Sequence, residues 1–149
     1  MADRKVTWIP TLGILDQVIP FARSRGKCAD ELAHFKDGVA GHMARVGSAI
    51  DAGVKVLAGT DAGMVEHRSI AHEIRLLARA GMSAENALAS GSWEARSYLG
   101  LDGLIPGHPV DVVAYRADPR EDLRALDPSL SHRASRSCGP RRRAPEPVR

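Results

Sequence analysis

The chain has 149 residues, 44% hydrophobic and 26% charged, a composition that excludes a wholly disordered or fibrous protein and suits a globular domain. Its formal charge of +3 is unevenly placed: six arginines and one glutamate lie from Ser131 to Arg149, leaving about −2 on the first 130 residues. No basic stripe on a folded face is expected, hence no nucleic-acid partner, and no apolar run approaches the roughly 20 residues of a membrane span.

Met1 to Lys5 leads into a strand-like run and not into the apolar core of a signal peptide. Cys28 and Cys138 are far apart with no metal-type spacing around either, which suits a reducing cytoplasm. Val6 to Ile9 reads as a strand stopped by Pro10, followed by a loop or short helix through Ile14 to Arg25. From Ala29 to Ala52, Leu32, Phe35, Val39, Met43, Val46 and Ile50 recur every three or four residues, one stripe of an amphipathic helix. Gly53 is placed to cap it. His34 and His42 on this helix read as surface residues.

Val54 to Ala58 has the nearly continuous apolar character of a buried parallel strand, and it runs into Gly59-Thr60-Asp61-Ala62-Gly63. A second helix is expected from Ser69 to Ala80, with Ile70, Ile74 and Leu77 inward and Gly81 as its stop. Ser83 reads as the N-cap of a third helix reaching Ser90. A fourth covers Trp93 to Leu99, with Trp93 and Tyr98 packing it inward. Gly103 to Gly107 is a turn-rich connector, Val110 to Tyr115 a strand, and Glu121 to Leu126 one or two helical turns. Beyond Pro128 no periodicity remains. The alternation of strand and helix predicts an α/β fold with parallel strands joined by crossover helices. Read from the residues alone, Asp61 is a turn aspartate after a strand. Thr11 is equally a turn residue or one that faces a ligand, and His67 a solvated or capping histidine.

Four stretches in one order resemble a known family. They are VTWIPTL (Val6 to Leu12), VKVLAGTDAG (Val54 to Gly63), HEIRLLARAGMSAENA (His72 to Ala87) and GLIPGHPVDVVAYRADP (Gly103 to Pro119). Together, over roughly Val6 to Leu126, they resemble the imidazolonepropionase-like branch of the amidohydrolase superfamily. The resemblance implies the C-terminal portion of a metal-dependent (β/α)8 barrel plus the start of a small β-domain. Residues 1–101 would be the last strands and helices of the barrel, 102–128 the return into the small domain, and 129–149 a disordered basic tail.

By the same resemblance the activity would be hydrolysis of carbon–nitrogen bonds, in non-peptide or dipeptide amides, on a small-molecule amide or cyclic substrate. The cofactor would be zinc or another divalent metal. Asp61, at the end of the family's eighth strand, would be both metal ligand and catalytic proton acceptor, the carboxylate that takes a proton from the attacking water. His67 and Thr11 would be substrate-binding. The family's His-x-His pair and further histidines have no counterpart here, and a catalytic zinc normally has three protein ligands. The chain is therefore expected to be a fragment that does not hold the metal tightly and is inactive alone. Its alternative role is an interaction or oligomerisation module, self-associating or complementing a separately encoded N-terminal half. Upstream coding sequence with the missing histidines is expected, and the tail, poor in large aliphatics, reads as out-of-frame from near Leu126 to Leu130.

Overall fold

The computed structural model describes residues 6–26, 29–63, 70–101, 103–106, 111–127 and 133–136. Among the described residues five helices dominate: α1 (Leu15–Ser24), α2 (Ala29–Asp51), α3 (Ile70–Arg79), α4 (Ala84–Ser90) and α5 (Trp93–Tyr98). A 3-10 turn at Leu12–Ile14 precedes α1, and another at Leu123–Leu126 follows the strand β1 (Asp111–Ala114).

The expected parallel pairing is present in short form. Trp8 and Val56 make a parallel bridge, the Trp8 amide donating to the Lys55 carbonyl at 2.9 Å and the Leu57 amide to the Trp8 carbonyl at 3.0 Å. Helices α1 and α2 form the connection between them, as a parallel pair requires. α2 ends where Gly53 predicts: Gly53, at φ 73°, donates to Ile50, and the Val54 amide reaches back to the Ala49 carbonyl. That pair of bonds is a Schellman ending, and it needs a residue free to take positive φ. Ser83 caps α4 as its position suggests, its hydroxyl accepting from the Asn86 amide at 3.2 Å.

The core lies between α2, α3, α4 and the Val56 segment, built from Leu12, Val46, Val56, Ile74, Leu76, Leu77, Ala87 and Leu126. Ile74 and Leu77 are buried as the stripe predicts, whereas Ile70, at the first turn of α3, is exposed. Leu126 joins this core, so the 3-10 turn at 123–126 packs with the helices and not apart from them. Two further expectations are corrected. Trp93 and Tyr98 are exposed, because α5 buries none of its residues among the described ones. Arg133–Arg136, in the segment expected to lack structure, forms β2 and pairs antiparallel with β1, Asp111 opposite Arg136 and Ala114 opposite Arg133. An open strand edge can recruit extended backbone whatever its side chains. The remainder of the tail lies outside the described residues. No helix among the described residues is long and apolar enough to cross a membrane.

Candidate active site

Parallel pairing fixes where the two candidate turns go. Because Trp8 and Val56 run the same way, the segments that leave them, Pro10-Thr11-Leu12 and Gly59-Thr60-Asp61, emerge at the same C-terminal ends. A Cβ on Gly59 would collide with the Ile9 side chain and would sit 3.6 Å from Cγ2 of Thr11. Only glycine lets the two strand ends approach so closely, and Thr11 therefore lies directly alongside the GTDAG turn.

Thr11 (φ 48°, ψ 51°) and Asp61 (φ 49°) are the non-glycine residues with left-handed backbone among the described residues. The conformation costs an L-residue about 1–2 kcal/mol, less for aspartate and more for a β-branched residue such as threonine. Backbone held in that region clusters at functional sites, and here both instances fall on residues singled out from the sequence. Asp61 is exposed and Thr11 half-buried. His67 lies outside the described residues.

Three residues given no site role from the sequence alone hold the Thr11 side of this mouth. Glu73 of α3, 1% exposed, accepts from the Leu12 amide at 2.9 Å and from the Gly13 amide at 2.6 Å. His72 beside it meets Asp16 of α1 at 2.7 Å. His42, expected at the surface, is half-buried: its Nε2 donates to the Pro10 carbonyl at 3.2 Å and its ring stands edge-on to Trp8, centroids 5.7 Å apart. A signal for Glu73 was present in the sequence. It lies four residues before Leu77, on the inward stripe of α3, where a carboxylate is out of place unless it is hydrogen-bonded.

Among the described residues no three His, Cys, Asp or Glu side chains come together as a metal centre would require. These residues do not by themselves fit a catalytic zinc, with its usual three protein ligands; Asp61 offers one donor. Two clefts lie away from Thr11 and Asp61. One of about 360 Å³ runs along Val54 to Leu57 and is walled by Ile50, Met82 and Ala89; another, of about 610 Å³, lies between Ile74, Trp93, Tyr115 and Arg120.

Comparison with solved structures places the chain beside a crystal structure of a Xaa-Pro dipeptidase with bound methionine in the active site. The TM-score is 0.69 at 24% identity, covering 85% of this chain and 32% of that one. The likeness is one of fold. In sequence, the chain is 38% identical over 142 residues to uncharacterized proteins of Mycobacterium tuberculosis (strains H37Rv and CDC 1551) and Mycobacterium bovis, a match over 94% of this chain. It spans 38% of the length of those curated relatives. No protein-family model matches. A match over 94% of the chain runs into the segment after Pro128, which an out-of-frame tail would not give.

Proposed function

We propose that this chain forms one side of the active site of a metal-dependent amidohydrolase that cleaves the carbon–nitrogen bond of a small amide, a dipeptide or a cyclic amide. The observation that carries the reading is the left-handed backbone of Thr11 and Asp61, each in the turn that leaves one side of the parallel Trp8–Val56 bridge. The dipeptidase fold supports it. In this reading the Asp61 carboxylate, exposed at the mouth, accepts a proton from the attacking water and returns it to the leaving nitrogen. Thr11 and His67 contact the substrate. The metal ligands that the described residues lack would come from another part of the active enzyme.

The test is hydrolysis of methionyl-proline with added zinc or manganese. The purified chain is assayed alone and mixed with the N-terminal part of the Mycobacterium tuberculosis relative. The chain alone should turn over nothing above background. The mixture should turn over, and Asp61→Asn should lower its rate by about 10²–10⁴-fold, the usual worth of a general base. Turnover in the mixture that ignores Asp61→Asn would remove Asp61 from the chemistry; no turnover in any mixture would count against this substrate class.

A second reading, an interaction module, is favoured by the strand edges. Trp8 takes both its bonds on the side of Lys55 and Leu57, so the amide and carbonyl of Val56 face the other way. Neither has a partner among the described residues although Val56 is buried. The cleft along Val54 to Leu57 follows that edge. A strand from a second copy or from an N-terminal half would satisfy these groups.

A further inference from the structure

The helical segment opening at Leu12 has an unusual start. Its first amides need acceptors that the helix cannot supply, and a threonine at the N-cap ordinarily provides one through its hydroxyl. Thr11 stands at that N-cap but makes no side-chain capping bond. The acceptors come instead from 61 and 60 residues away, as the two oxygens of Glu73 bind the Leu12 and Gly13 amides. The approach is tight: a Cβ on Gly13 would sit 3.3 Å from His72 Cδ2 and 3.4 Å from Glu73 Oε2. A carboxylate at the positive end of a helical segment is also the favourable sign of charge.

We propose that Glu73 is the positioning residue of the mouth. From α3 it takes the capping place that Thr11 leaves empty, holds Thr11 in left-handed backbone beside Gly59, and so frees the Thr11 hydroxyl for the substrate. Its link to catalysis rests on the amidohydrolase reading above; the capping does not. The titratable groups facing Glu73 are His72 on its own helix, itself hydrogen-bonded to Asp16 of α1, and His42 of α2.

Residue-resolved hydrogen exchange on the 149-residue chain tests this. Glu73→Ala should speed exchange of the Leu12 and Gly13 amides by about tenfold over any change at Leu76 and Leu77, the worth of a hydrogen bond to a charged acceptor. Glu73→Gln should restore protection in part. Thr11→Val should leave both amides protected. If Thr11→Val exposes them as Glu73→Ala does, or if Glu73→Ala loosens α3 equally, the assignment is overturned. Should Glu73→Ala fail to fold, the unaltered protein decides: the Leu12 and Gly13 amide-proton shifts should follow one carboxyl titration, and flat shifts would overturn the cap. Failure of the methionyl-proline assay would leave these exchange rates as they are, so the two ideas fail separately.

Discussion

Glu73 sits with 1% of its surface exposed, and burial pushes its carboxyl above the ordinary 4.5. The amides of Gly13 and Leu12, then the charges of His72 and His42, pull the other way without cancelling it. A raised value means the folded chain holds this proton more tightly than the unfolded one. The stability linked to it is therefore fully present below about pH 4.5 and is lost as pH rises through the folded value. Glu73→Gln carries no such proton. The stability of the unaltered protein relative to Glu73→Gln should thus be greater at pH 4 than at pH 7 in urea unfolding. A difference that is constant, or that grows with pH, would contradict the burial argument.

The helices draw their bounds from caps and stripes. The Ser83 hydroxyl on the Asn86 amide should be worth about 1 kcal/mol, so Ser83→Ala should lower the urea midpoint without changing the slope; an unchanged midpoint would show that α4 is held by packing alone. These are also the features that made the positions of the helices readable in advance. The spacing of Met43, Val46 and Ile50, the glycines at 53 and 81, and Ser83 each act within a few residues, where a sequence displays them directly. The legible part of the candidate site was the strand-then-turn pattern around Thr11 and Asp61. The inward place of Glu73 was legible, but its partners Leu12 and Gly13, like the partners Pro10 and Trp8 of His42, are distant in sequence and could not be read from it. β2 escaped for a different reason: the sequence of Arg133–Arg136 shows no alternation of apolar and polar residues from which a strand could be read. The 3-10 turn that buries Leu126 was placed correctly, but nothing local marks which of its residues enters the core.

Across the whole molecule, apolar surface remains uncovered. Leu99, Leu101 and Leu104 are exposed, Leu104 at 79%, as are Val112 and Val113 of β1. Together with the Val56 amide and carbonyl, which have no partner among the described residues, this should drive self-association. Sedimentation should give a mass that rises with protein concentration; a single monomeric species with cooperative unfolding would exclude it.

The pairing of Trp8 with Val56 and of Leu12 with Glu73 has a kinetic corollary. Both contacts close loops that contain all of α2, whereas α3 to α5 meet through neighbours in sequence. Local contacts form before distant ones because loop closure must be met first. The helical layer should therefore assemble early and the Thr11–Asp61 mouth last, so that substitutions at Trp8 or Glu73 mainly hasten unfolding, while those in the α3–α4 contact slow refolding.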